Sequence, residues 1–305
     1  MKSRNGNWRL RTIPTRDNFP MQELARAKIN LTLHVTGQRD DGYHLLDTLV
    51  SFAEIGDRLE FASSDRLELS ISGPESASLH AVSENLVLRA ANLLRSHIGR
   101  PDLGAAIHLE KILPIASGIG GGSADAAATL RGLCKLWGVI PDDKMLHQLG
   151  LSLGADIPMC LASRPARVTG IGDLIQPVEM VPLPLVLANP RIAVPTAQVF
   201  NNLTNKNNPP ADDFHTENGR QRNSLSAYLS KQRNDLQPAA VALAPAIKKC
   251  LSALDNIHTR QLARMSGSGA TCFGLFDTPQ AAADAALTLR QQHPEWWVVN
   301  TATIG

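Results

Sequence analysis

Pro114-Ile115-Ala116-Ser117-Gly118-Ile119-Gly120-Gly121-Gly122-Ser123-Ala124-Asp125-Ala126-Ala127-Ala128 is the stretch whose reading organises the rest of the chain. Four of the five residues 118–122 are glycine. Glycine costs backbone entropy and brings no side chain to a core, so such a run marks unusual dihedrals or close approach to something bulky. The alanine-rich segment that follows sets Ala127, Leu130, Cys134 and Trp137 at helical spacing. This predicts a glycine loop feeding a helix, with Ser123 as the N-cap. Unpaired N–H groups and the helix dipole would then converge on one small space suited to an anion such as phosphate.

Upstream, Ala27, Ile29, Leu31, Leu33 and Val35 alternate with Lys28, Asn30, Thr32 and His34, the pattern of a strand running from 27 to 35 with one apolar face. The polar set is either an ordinary solvent-exposed face or a face turned toward a ligand. Asp40-Asp41-Gly42 signals a turn, and Tyr43, directly after it, is placed for a ligand-facing loop rather than a core. Short strands are predicted at 49–53, 58–61, 67–72 and 106–112, with a helix from Leu86 capped by Ser83. Downstream, Asp142 is expected to cap a helix. Asp156 follows in Gly154-Ala155-Asp156-Ile157-Pro158, an apolar setting. A buried carboxylate there needs a cation, a proton-transfer role or helix N–H groups to satisfy it.

A turn-rich hairpin around Gly170 and Gly172 marks the expected domain boundary, giving an N-terminal domain at 23–170 and a C-terminal one at 171–305. Beyond it come a strand at 184–188, a helix opening at Thr196 with Phe200 inside it, and a long polar segment, 201–223, expected to be mobile. Helices at 224–230 and 238–254 lead to a second small-residue loop, Met265-Ser266-Gly267-Ser268-Gly269-Ala270, and a strand at 271–276. A helix at 279–291 and a strand at 296–299 close the chain. Residues 1–22, basic and without hydrophobic periodicity, read as a disordered extension.

Composition narrows the function classes. In 305 residues, 30 Lys and Arg stand against 28 Asp and Glu, so no nucleic-acid footprint is written in bulk charge. No apolar run approaches the ~20 residues of a membrane span. The 4 cysteines, at 134, 160, 250 and 272, form no C-x-x-C pair and read as reduced thiols of a cytoplasmic protein. No Gly-x-x-x-x-Gly-Lys-Ser/Thr occurs, and the glycine run fails Gly-x-Gly-x-x-Gly because Ser123 holds the last position. The protein-kinase signature set is absent as well.

The combination of Pro-x-x-x-Gly-x-Gly-Gly-Gly-Ser-x-Asp-Ala-Ala at 114–127, Ala27-Lys28-Ile29-Asn30-Leu31 near the N-terminus and Met265–Ala270 near the C-terminus resembles the three motifs of the GHMP kinase superfamily. Asp41-Gly42-Tyr43-His44, Gly154-Ala155-Asp156-Ile157-Pro158 and Asn234-Asp235-Leu236 look like its branch acting on a methylerythritol that carries a cytidine diphosphate group. The resemblance implies a two-domain α+β fold, ribosomal-S5-like and then ferredoxin-like, with a cleft between. It implies transfer of the ATP γ-phosphate to a hydroxyl in isoprenoid precursor synthesis, with Mg2+ and no membrane or nucleic-acid partner, by a monomer or weak homodimer. Another GHMP kinase acting on a mevalonate-type alcohol is the alternative.

By motif match, Lys28 and Asp156 would be catalytic, while Asn30 and Thr196 would position substrate. Tyr43 and Phe200 would sandwich the cytosine ring and His44 would read its edge. Asn85, Lys111, Pro114, Gly118, Gly120, Gly121, Gly122 and Ser123 would hold ATP, with Ser123 also the expected metal contact. Asp125 reads first as a first-turn charge favoured by the helix dipole and second as a metal or water contact. Two departures stand out: Gln237 where the family usually has Glu, and Arg191 where it commonly has Gly.

Overall fold

The computed structural model describes Arg9–Leu10 and residues 21–79 and 85–305. By its contacts the chain falls into two compact units, each assembled from separate stretches. The first takes residues up to 25, 56–113 and 122–162; the second takes 26–55, 114–121 and 163–305. Much of the expected 1–22 extension lies outside the described residues, as does the Ser83 expected to cap a helix. Of that extension, Arg9–Leu10 pairs antiparallel with Val139–Ile140, and Met21 already opens a strand.

In the first unit, Leu67–Ser72 lies parallel to Ala105–Glu110, which runs antiparallel to Arg58–Ala62. The helices Leu86–His97, Gly121–Leu136 and Asp143–Leu153 belong with them, and Asp142 caps the last by accepting from the Lys144 N–H at 3.2 Å, as expected. Asn85 caps Leu86–His97. The core follows from the alternation of apolar residues: Leu59, Phe61, Ile107, Leu109, Leu94, Leu130 and Leu133 are all buried. Phe61 sits over Gly132, where any added Cβ would meet its ring at 2.3 Å.

In the second unit, His34–Gln38 and Ala166–Gly170 each pair antiparallel with the start of the long strand His44–Ala62, and Leu174–Pro177 completes the hairpin expected around Gly170 and Gly172. A second sheet is antiparallel throughout, in the order Arg260–Met265, Cys272–Phe276, Pro184–Asn189, Trp297–Ala302. Helices Ala246–Asp255 and Pro279–Gln292 pack on it. Val186, Ala188, Ile247, Leu254, Phe276 and Leu289 fill the space between.

Several expectations are corrected. The single strand at 27–35 is two strands, Met21–Asn30 and His34–Gln38, separated by a bend. Its polar residues are no solvent face: Lys28, Asn30, Thr32 and His34 are all buried. The strands at 49–53 and 58–61 are one continuous strand of 19 residues. The helix at 238–254 is two, Gln237–Leu243 and Ala246–Asp255, because Pro245 can neither donate a hydrogen bond nor fit inside a helix. The segment 201–223 is tied down where mobility was expected: the Asn208 N–H donates to the Val35 carbonyl at 3.1 Å, and the Ala211 N–H donates to Asp47 at 3.0 Å.

Candidate active site

Three of the sequence motifs meet in the second unit. The Lys28 N–H donates to the Ile119 carbonyl inside the glycine loop at 2.8 Å. Gly120, at φ +66°, lets the Lys28 side chain lie alongside; an added Cβ would stand 3.3 Å from the Lys28 Cβ. On the same strand, the Asn30 N–H donates to the Ser266 hydroxyl at 3.0 Å and its side chain donates to Thr48 at 2.9 Å. Ser266 in turn donates to the Gly118 carbonyl at 3.3 Å, so the second small-residue loop bridges the strand and the first loop.

Gly118 bears out the reading of unusual dihedrals and close approach, and the bulky neighbour is the backbone of the second small-residue loop. Gly118 holds φ at +75°, and a Cβ there would lie 2.6 Å from both the Gly269 and Ser266 carbonyl oxygens. Backbone packs on backbone at that point, which excludes any other residue. Thr196 joins the same cluster through its hydroxyl, 2.8 Å from that of Ser268. Pro114 accepts from Ser117 at 2.6 Å at the start of the loop.

The residues expected to read a base form a second group in this unit. The turn before Tyr43 is closed by the Arg39 N–H donating to the Tyr43 carbonyl at 2.8 Å, and Tyr43 itself is 59% exposed. His44 stacks on Phe200 with ring centroids 4.8 Å apart at 30°. Burial, with the Lys206 ammonium second, holds the His44 ring below the ordinary histidine value. The ring is therefore neutral at pH 7 and keeps one donor and one acceptor nitrogen. Lys206 donates to the Gln38 side chain at 3.2 Å, which docks the loop after Phe200 on the strand before the turn.

In the first unit the helix begins at Gly121, so Ser123 lies inside its first turn and is not the N-cap. Gly122 has ordinary space around it, with Leu86 Cδ1 at 3.4 Å from an added Cβ. Asn85, expected at ATP, accepts from the Val87 N–H at 2.8 Å. Asp156 directly precedes the helix Ile157–Ala162, and its carbonyl accepts from the Cys160 N–H at 3.2 Å. Its side chain is half-buried, more open than the apolar sequence around it suggested.

Lys111, also expected at ATP, is buried and commits its ammonium to Asp57 at 2.5 Å and Asp125 at 2.8 Å. Burial alone would lower the ammonium's pKa, but the two carboxylates outweigh it and raise it. One cation between two acids leaves a negative charge uncompensated. Burial, reinforced by the Asp57 charge and opposed by Lys111, pushes the Asp125 carboxyl up to about 7. Asp125 is thus more than a dipole partner: it is a buried partner of the Lys111 ammonium.

Three further residues had no role read for them in the sequence, Asn234 standing there only as part of a motif. Asn234 donates to the Met265 and Gly267 carbonyls at 2.8 and 2.9 Å, fixing the second loop from behind. Arg264 is buried and donates to the Leu31 carbonyl at 2.7 Å and the Leu229 carbonyl at 2.9 Å; burial lowers its guanidinium to about 10. Asp57 is fully buried. Both departures from the family pattern have structural explanations. The Gln237 side-chain carbonyl accepts from the Met265 N–H at 3.0 Å, as a carboxylate would. Arg191 sits at φ +58°, where glycine is the easier residue, and its N–H donates to Asn189 at 2.7 Å.

Comparisons agree with this geometry. The GHMP kinases N terminal domain matches residues 85–164, and the GHMP kinases C terminal domain matches 217–295. A 4-diphosphocytidyl-2-C-methyl-D-erythritol kinase of Cereibacter sphaeroides is 51% identical over 288 residues, 93% of this chain and 99% of that protein. Its counterpart in Rhizobium etli is 50% identical over 290 residues, covering 94% and 96%. A crystal structure of 4-(cytidine 5'-diphospho)-2C-methyl-D-erythritol kinase superimposes with a TM-score of 0.76 at 35% identity, over 93% of this chain and 100% of that one. The homoserine kinase of Cytophaga hutchinsonii, at 16% identity and a TM-score of 0.69, shares the fold. The chain therefore has the two-domain α+β fold of the GHMP kinases and belongs, among them, to the 4-diphosphocytidyl-2-C-methyl-D-erythritol kinase family.

Proposed function

We propose that this protein is a small-molecule kinase that transfers the γ-phosphate of ATP to a hydroxyl of 4-diphosphocytidyl-2-C-methyl-D-erythritol, in the non-mevalonate route to isoprenoid precursors. One observation carries the reading: the Lys28–Asn30 strand is hydrogen-bonded to both small-residue loops, at Ile119 and at Ser266. Phosphoryl transfer calls for positioning and charge neutralisation more than covalent chemistry, and this cluster is built for positioning.

In this reading Asp156 accepts the proton of the attacking hydroxyl or orients that hydroxyl. Lys28 stabilises negative charge on the phosphoryl group in flight. Asn30 and Thr196 orient the acceptor. The first turn from Gly121, with Gly120 and Ser123 beside it, offers N–H groups to phosphate. Gly118 and Pro114 shape that loop, and Asn85 and Lys111 complete the set assigned to ATP. Tyr43 and Phe200 stack on the cytosine ring and the neutral His44 pairs with its edge. That aromatic set favours the cytidylyl substrate over a mevalonate-type alcohol, which has no base to stack.

Among the described residues no cluster of His, Cys, Asp or Glu side chains could hold a metal ion alone. Mg2+ would be held on the protein side by the Ser123 hydroxyl and would supply charge neutralisation to the transferred phosphate. No disulfide joins the 4 buried cysteines, which supports a reducing cytoplasmic setting, and the reading requires no more than a monomer or weak homodimer.

The test is Asp156→Asn. It should retain ATP affinity, read by calorimetry, and lose turnover by at least about 100-fold. Near-normal turnover would remove Asp156 from the reaction.

A further inference from the structure

Asp57 lies outside every motif that points to the function, yet it is fully buried and all of its oxygens are engaged. Oδ1 accepts from the Ile112 N–H at 2.6 Å and the Leu113 N–H at 2.8 Å. These are the last two residues before Pro114, where the chain enters the glycine loop. Oδ2 receives the Lys111 ammonium at 2.5 Å, and that ammonium continues to Asp125 at 2.8 Å. Asp125 lies in the helix that the loop feeds, and it is buried. We infer that Asp57, acting through Lys111 and Asp125, is a positioning residue that fixes the entry of the phosphate loop to the first turns of its helix.

The charge pattern supports a clamp over a general stabilising pair. Surface ion pairs contribute little, but removing one partner of a buried, hydrogen-bonded pair leaves an uncompensated charge and is strongly felt. Here a single ammonium spans two carboxylates, one anchored to backbone before the loop and one on the helix after it. Any slack between the two acids would separate loop entry from helix start. The N–H groups on offer to phosphate lie between those two points, so slack would disperse them. Lys111 thereby serves ATP through the position of the loop, its ammonium being held on the inner side by the two acids.

The inference rests on the proposed reading of this loop as the ATP site, and the experiment separates the two. Asp57→Asn keeps an oxygen for the Ile112 and Leu113 N–H groups but sets an amide against the Lys111 ammonium, so it breaks one limb alone. Asp125→Asn breaks the other. In the nucleotide-free protein, each variant should speed hydrogen exchange across 112–125, an outcome that does not depend on what the loop binds. With substrates, each should raise the KM for ATP by roughly 10- to 100-fold and leave the KM for the cytidylyl substrate unchanged. The double variant should match the worse single one, because both act through Lys111.

Unchanged exchange in folded Asp57→Asn, read together with Asp125→Asn, would overturn the clamp. Equal loss in both KM values, or full additivity, would reduce it to general stabilisation. Faster exchange with no effect on ATP would uphold the clamp and refute the ATP reading of the loop.

Discussion

His44 is the residue whose chemistry depends most on its neighbours. Burial first and Lys206 second disfavour its charged form, so the ring stays neutral as pH falls through the ordinary histidine value near 6.5. A depressed value places the onset of protonation on the acid side. The KM for the cytidylyl substrate should therefore be flat from pH 8 to about 6.5 and rise only below it. Lys206→Gln removes one of the two causes and should move that rise to higher pH. A KM that already climbs above pH 7 in the unaltered protein would contradict this. The residues after the turn were legible because a tyrosine next to Asp-Gly has no core to enter. Lys28, Asn30, Thr32 and His34 were only half legible. Period two reveals which residues share a face; it cannot reveal that Ser266 and Pro209, some 170 to 240 positions later, return to cover it. Asp57 was not legible at all, since it fell between the strands expected at 49–53 and 58–61 and its partners lie more than 50 residues away.

At the scale of elements, the glycine loop combines two kinds of glycine that look alike in sequence. Gly118 is required by backbone packing and a left-handed φ of +75°. Gly122, in the first turn of the helix Gly121–Leu136, has no close neighbour that an alanine would strike. Gly118→Ala should therefore cost at least about 2 kcal/mol of stability, measured by denaturant unfolding, from strain and clash together. Gly122→Ala should stabilise the fold slightly, since alanine is the better helix former. Equal stability of the two variants would refute this division of the loop. Element boundaries were the least legible feature. Pro245 splits a helix that its apolar spacing joined, while the strand His44–Ala62 runs through Gly56 where short strands were expected.

At the scale of the molecule, each unit is built from stretches far apart in sequence, and the strand His44–Ala62 supplies residues to both. The first unit ends at residue 162, while the second takes stretches from both sides of that point, so no single cut along the sequence divides them. Among the described residues no helix is long and apolar enough to cross a membrane. The central claim is the choice of acceptor. The most direct measurement gives the purified protein ATP and Mg2+ with 4-diphosphocytidyl-2-C-methyl-D-erythritol, mevalonate or phosphomevalonate in parallel and follows phosphate transfer by mass. The cytidylyl compound should gain one phosphoryl group with kcat/KM at least about 1,000-fold above the other two, because only it carries a base for the aromatic set proposed at Tyr43, His44 and Phe200. Comparable phosphorylation of mevalonate, or none of the cytidylyl compound, would contradict the account.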